Sequence, residues 1–209
     1  MGQYYRQLVG NKAGEIVSVH DCSGILPNGD RDDNGFKLME HSWLENYFVN
    51  GICKKMYNNP FRIAWVGDYA NEVGDFDFNI PSKPAIPNYY DAWGDQIRPI
   101  PVAVDPEFSI VGKFILNHDK REYIEISDDA YLWNSMPQES SPLSWTIHPL
   151  PLLTAIGNDR GFGDFHEGNI GYEYVGIWAW DLLELTDGSP MEYEESLIGF
   201  VERGKIFDK

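Results

Sequence analysis

Basic side chains are scarce in this chain. Its 209 residues hold 16 Lys and Arg against 33 Asp and Glu, a formal net charge of −17 at pH 7. The basic residues are scattered and form no dense stripe, so direct nucleic-acid binding is disfavoured. A surface this negative also repels anionic membranes, and it attracts basic protein surfaces or cations. Cysteine is nearly absent too. Cys22 and Cys53 are too few for a disulfide scaffold or a zinc cage. No run of ~18 apolar residues occurs, so no membrane-spanning helix is expected. The opening Met1 to Arg6 has no apolar stretch of the kind a secretory leader needs. The expected setting is a reduced cytoplasm. A Gly-x-Ser-x-Gly elbow, a Cys-x-x-Cys pair and a His-Glu-x-x-His helix are all missing, which removes the chemistries those motifs announce.

What is present is an ordinary folding composition. Hydrophobic residues make up 43% and aromatic residues 14%, far more than a disordered acidic chain carries. The length fits one domain spanning 1–209 with enough core to need no staples. Tyr4 to Val9, a turn at Gly10 to Gly14, and Glu15 to His20 with alternating polarity predict a hairpin. Leu44, Phe48, Ile52 and Met56 recur every four residues, which predicts an amphipathic helix over about 43–57. Ser42 and Glu45 fit a capping box for it, and Lys54 and Lys55 suit its last turn. Arg62 to Val66 reads as a short buried strand.

Residues 71–107 carry six prolines and many aromatics, and read as a long irregular excursion wrapped on the domain. Phe108 to Leu116 and Arg121 to Ser127 predict a second hairpin, and Asp128 to Pro151 another irregular stretch. Glu173 to Leu185 and Tyr193 to Val201 alternate like strands. The expected class is α+β: a mostly antiparallel sheet, one principal helix and long loops.

Two segments have the residue types of a functional site. Asp30-Arg31-Asp32-Asp33-Asn34-Gly35 matches the front of a calcium loop, where carboxylates at alternate positions converge on a hard cation. The closing Glu belongs six residues after Gly35, where His41 stands, and Glu40 is one short. Asp30, Asp32, Asn34 and Glu40 are therefore the candidate ligands, against the plainer reading of an acidic loop tip.

The second segment is Gly157 to Asn169, in which four glycines alternate with Asp159, Arg160, Asp164, His166 and Glu167. It fails as a Walker loop and as a dinucleotide fingerprint. If extended, it would turn Asp164 and His166 to one side, where they could share a metal or a proton. Gly-Asp-aromatic occurs at Gly67-Asp68-Tyr69, Gly74-Asp75-Phe76 and Gly163-Asp164-Phe165. Its carboxylates could form one acidic site, or they could mark repeated turn chemistry. Asp68, Asp164, His166 and Glu167 are the candidate catalytic set, with Mg²⁺, Mn²⁺ or Ca²⁺ as the cation. His20, His41, His118 and His166 each stand beside an acid, and adjacency alone does not make a dyad.

Five islands carry a wider likeness: Met1 to Tyr5, Lys37 to Trp43, Arg62 to Ala70, Leu153 to Phe165 and Gly176 to Asp181. Together they resemble a family of uncharacterised bacterial and mobile-element proteins. The resemblance implies that the islands belong to one recurring fold, and no activity carries over from it. Three expectations stand together. The first is an acidic interaction protein that competes for a basic surface on a nucleic-acid-handling defence effector, of restriction or CRISPR type. The second is a metal-dependent hydrolase or nuclease. The third is a calcium-stabilised domain without catalysis.

Overall fold

Strand β5 (Phe61–Gly67) stands at the centre of the sheet, buried along most of its length. The computed structural model describes residues 3–20, 24–25, 31–32, 36–44, 46–70, 90, 102–103, 105, 107–126, 132–134, 144–161, 163–167 and 172–188. The first hairpin forms where the alternation predicts it. Its strands β1 (Tyr5–Gly10) and β2 (Ile16–His20) pair antiparallel. Strand β1 then pairs with β5 over its full length, with Tyr5 opposite Gly67 and Gly10 opposite Arg62.

The other edge of β5 is divided. A late strand, β12 (Leu182–Thr186), pairs antiparallel with Phe61 and Arg62. A short strand, β11 (Ala155–Ile156), pairs parallel with Trp65 and Val66. Between them the Trp180 amide donates to the Ile63 carbonyl at 2.7 Å. Beyond β12 lie β7 (Phe114–Asn117) and β8 (Glu122–Glu125), both antiparallel. The order is β2-β1-β5-β12-β7-β8, with β11 on β5. The fold is α+β with a mostly antiparallel sheet. Two small sheets flank it among the described residues. One joins β3 (Gly24–Ile25), β4 (Arg31–Asp32) and β6 (Val102–Ala103); the other joins β9 (Leu132–Asn134) and β10 (Ser144–Thr146).

A strand period of two gives β5 two buried faces. Ile63 and Trp65 face the larger core, with Phe48, Ile52, Phe36 and Ile115. Ala64 and Val66 face a smaller one, with Leu8, Val19, Ile156 and Trp180. The Phe48 ring meets Trp65 edge-on, with centroids 6.4 Å apart.

The principal helix, α2 (Tyr47–Met56), follows a single turn, α1 (Leu38–His41). Leu44, Phe48, Ile52 and Met56 are all buried, as the four-residue spacing requires. The helix starts later than the capping box predicts. Asn46 is the cap, its side chain accepting from the Val49 amide at 3.0 Å. Ser42 instead ends α1, and its hydroxyl donates back to the Leu38 carbonyl.

Three other expectations are corrected. The stretch 128–151 contains β9, β10 and the start of α3 (Pro149–Thr154), whose first position takes a proline because its amide needs no partner there. Glu173 to Leu185 is a 3₁₀ turn at Tyr172–Tyr174 and a run of turns, and only its end is strand β12. Positive φ at Gly176 and Trp180 breaks the extended conformation there. The second hairpin begins at Phe114 rather than Phe108, because a turn at Val111-Gly112 precedes it. Most of the 71–107 excursion, and 193–201, lie outside the described residues. Tyr90 is described, and Arg6 of β1 donates to its carbonyl at 3.0 Å and lies over its ring.

Candidate functional site

Three chain segments reach one end of the sheet together. Because β1 runs antiparallel to β5, its beginning lies beside the end of β5. Because β11 runs parallel to β5, the loop leaving β11 emerges at the same end. Sites of open sheets commonly form beyond the carboxyl ends of parallel strands. The segments are Gln3 to Tyr5, Gly67 to Ala70 and Gly157 to Glu167.

Backbone and side-chain hydrogen bonds fix them to one another. The Asp68 amide donates to the Tyr4 carbonyl at 2.9 Å. In return the Tyr4 amide donates to Asp68 Oδ1 at 3.2 Å. Arg160 Nη1 donates to the Tyr69 carbonyl at 2.7 Å. Asn158 clasps the loop closed: its Oδ1 accepts from the Phe165 amide at 2.9 Å and its Nδ2 donates to the Phe165 carbonyl at 2.6 Å. The Phe165 ring is thereby delivered to the larger core.

The packing tolerates no side chain at two points. Gly157 has φ +82°, and a Cβ there would stand 2.5 Å from Ala70 Cβ. A Cβ on Gly161 would stand 2.6 Å from the Gln3 amide nitrogen.

Asp164 sits at the centre of the junction with no solvent exposure. Its Oδ1 accepts from the Tyr5 hydroxyl at 2.9 Å. Its Oδ2 accepts from the amides of Arg160 and Gly161, at 3.0 and 3.1 Å. Burial raises the pKa of its carboxyl, and the hydrogen bonds from these three donors pull the other way. The Tyr5 hydroxyl is raised well above its ordinary value by burial first, then by the charges of Asp164 and Asp68. A carboxylate so enclosed ties β1 to the loop, and its oxygens are already engaged by protein donors.

His166 faces outward. Its Nδ1 is 2.5 Å from Asp159 Oδ1, and the Tyr172 hydroxyl donates to Asp159 Oδ2 at 3.4 Å. Asp159 and then Glu167 hold the Tyr172 hydroxyl above its usual value by their negative charge, with burial contributing. The outer rim thus carries Asp159 and Glu167 together with Arg160 and His166. The expectation that Asp164 and His166 share one side of an extended strand is corrected. The loop turns between them, and Asp164 points in while His166 points out.

The structure thus brings Asp68 and Asp164 to Tyr5, and leaves His166 and Glu167 on the exposed rim. Gly74-Asp75-Phe76 lies outside the described residues. Of the candidate cation ligands, Asp32 lies in β4 and Glu40 in α1. Their side chains, and Asp30 and Asn34 altogether, lie outside the described residues. Among the described residues, no group of three or more His, Cys, Asp or Glu is arranged to hold a metal ion.

The other histidines find different partners from their sequence neighbours. His20 Nδ1 is 2.5 Å from Gln7 Oε1, and His118 Nε2 is 2.8 Å from Glu184 Oε2. His41 Nδ1 accepts from the Lys37 amide at 2.7 Å.

His148 was invisible among the sequence motifs. It lies 3.3 Å from Cys53, Nε2 to Sγ, with both side chains fully buried. Its Nδ1 accepts from the Leu150 amide at 3.1 Å and so caps α3. That bond leaves the ring proton on Nε2, pointing at sulfur. Burial pushes the Cys53 thiol far up and the His148 imidazole down to about 3. A nucleophilic cysteine needs its thiolate, so this pair is structural. The only signal for it was Pro149, a residue favoured at the first position of a helix.

Comparison with protein-family models, with curated proteins and with solved structures gives no match.

Two stability measurements check this account. Asp164→Ala leaves the buried Tyr5 hydroxyl and two half-buried amides without their acceptor and is expected to cost roughly 2–5 kcal/mol in urea unfolding. Asp164→Asn keeps an acceptor for the two amides and offers an amide to the Tyr5 oxygen, and is expected to cost about 1 kcal/mol. Equal losses would show that Asp164 does not organise the junction.

The second is a pH series. Native His148 stays neutral to about pH 3, whereas the unfolded imidazole protonates near its ordinary 6.5. The unfolded state therefore binds more protons in that window, and stability falls as pH drops, by up to about 1.4 kcal/mol per unit. His148→Asn keeps a capping oxygen and removes the titration, so its stability should fall less steeply with acid than that of the wild type. Parallel curves would contradict the burial of a neutral imidazole.

Proposed function

We propose that this protein is an acidic interaction protein, one that occupies a basic, nucleic-acid-binding surface of another protein. A mobile-element inhibitor of a restriction- or CRISPR-type effector is the biological form that fits. The observation that carries this reading is the division of labour among the carboxylates. Asp164, the most enclosed member of the catalytic candidates, is engaged by Tyr5 and two backbone amides. Asp159 and Glu167 stand exposed on the same loop and impose a negative potential on Tyr172. The loop is clamped by Asn158 and by the buried Phe165, so its charges are held on a defined frame. Nucleic-acid channels are positively charged, and a rigid array of carboxylates competes for them electrostatically. The resemblance of the five islands to mobile-element proteins supports the same setting.

A second reading keeps one specific support. The exposed His166–Asp159 pair lies at the carboxyl ends of two parallel strands, where an imidazole oriented by a carboxylate could transfer a proton. A metal-dependent hydrolase would use that pair with Asp68 and Glu167.

Displacement of a labelled DNA or RNA duplex from purified restriction and CRISPR effectors separates the two. Displacement is expected at about 50 mM salt and should weaken at least ~10-fold by about 200 mM. The double variant Asp159→Lys, Glu167→Lys should weaken it further. No displacement from any effector, together with cleavage of nucleic acid when Mg²⁺ or Mn²⁺ is added, would replace the first reading with the second.

A further inference from the structure

We infer that Tyr57, Phe108 and Asp187 form a lysine-receiving site on the surface, filled by Lys113 of this chain until a partner's lysine takes its place. The inference rests on the acidic-interaction reading above. Three segments build the site: the end of α2, the stretch leading into β7 and the residue after β12. Because β12 runs antiparallel to β5, Asp187 lies toward the end of the sheet away from the Asp164 loop. The Tyr57 and Phe108 rings meet at 70°, with centroids 6.0 Å apart. The Lys113 ammonium stands 4.8 Å from the Tyr57 centroid and 5.7 Å from that of Phe108. It donates to Asp187 Oδ1, and the Tyr57 hydroxyl donates to Oδ2 of the same carboxylate. Two rings whose faces attract cations, closed by a carboxylate, are the parts of an aromatic cage for an ammonium group.

The site itself names the occupant. It already holds a primary ammonium, so an incoming lysine meets the same two rings and the same carboxylate. The Asp187 side chain is 59% exposed and both rings are half-buried, so the site opens to solvent. Lys113 is held by an exposed carboxylate and two ring faces, and contacts of that kind contribute little each. A partner lysine therefore exchanges with it at small cost. A second ion pair, Lys54 with Asp105, stands beside the first. The Tyr57 amide donates to the Lys54 carbonyl at 3.3 Å, and the Phe108 amide donates to the Asp105 carbonyl at 3.2 Å. Asp105 would take the next cation of the same partner segment.

Binding of a labelled oligolysine peptide to the whole protein tests this. Lys113→Met removes the resident cation, and Lys12→Met makes the same charge change at an exposed lysine in the first hairpin turn. Lys113→Met should bind the peptide at least ~3-fold more tightly than Lys12→Met, because one modest competing contact is gone. Adding Tyr57→Leu to Lys113→Met should return the affinity to the Lys12→Met level. Phe108→Leu should do the same, and serves if the first ring deletion unfolds the chain. In the wild type, the Lys113 methylene protons, shifted upfield by the rings, should move toward ordinary values as the peptide saturates. Equal affinities of Lys113→Met and Lys12→Met, a gain that survives both ring deletions, or Lys113 resonances unmoved at saturation would overturn the site while leaving electrostatic binding intact. A peptide that binds none of these proteins would instead remove the acidic-interaction reading beneath it.

Discussion

The split edge of β5 is the constraint on which the remaining structure depends. A single strand of Phe61 to Gly67 accepts β1 along one side and shares its other side between β12 and β11. The Trp180 amide covers the gap at Ile63, where an unpaired buried carbonyl would otherwise cost about 1–3 kcal/mol. The antiparallel half continues the sheet to β7 and β8. The parallel half, only two residues long, carries the loop of Asp164 to the beginning of β1. Four of the five sequence islands touch this arrangement directly, at Gln3 to Tyr5, Arg62 to Ala70, the Leu153 to Phe165 segment and Gly176 to Asp181. The fifth, Lys37 to Trp43, packs through α1 on α3 and follows Phe36, which meets the Trp65 ring at 5.9 Å.

Burial decides what each carboxylate can do. Enclosing a carboxylate without partners is prohibitive, so a buried one must be answered by donors. Asp164 has three, each about 1.5–3 kcal/mol when the acceptor is charged, which offsets its desolvation and spends its lone pairs on the fold. Asp159 and Glu167 are exposed instead, Asp159 paired with His166 on the surface. The same contrast separates Cys53 and His148 from chemistry. A thiol and an imidazole in contact would suggest a nucleophile in a cleft, but here burial keeps both neutral.

Local patterns were legible wherever local physics governs. The first hairpin followed from alternation around a turn, and the buried stripe of α2 from four-residue spacing. The start of α2 was misplaced because Ser42, the expected cap, is taken by α1, and Asn46 caps the helix instead. Helix α3 was missed because two prolines in six residues resemble a loop, although proline at a first position is compatible with a helix. The alternation of Glu173 to Leu185 misled because φ at Gly176 and Trp180 is set by packing against Leu152, Leu153 and Ile63, all distant in sequence. Two copies of the Gly-Asp-aromatic pattern lie at the junction, where Asp68 accepts from the Tyr4 amide and Asp164 from the Tyr5 hydroxyl. The burial of Asp164 was not legible, since its hydroxyl partner Tyr5 lies 159 residues away.

Native-state amide hydrogen exchange on β5 tests the central place of that strand. Its hydrogen-bonded amides are expected to exchange only through global unfolding, with an opening free energy equal to that from urea denaturation and no smaller than any in α2. Exchange of Ile63 to Val66 through a cheaper local opening, while α2 stays protected, would contradict the view that β5 holds the two cores and the acidic loop together.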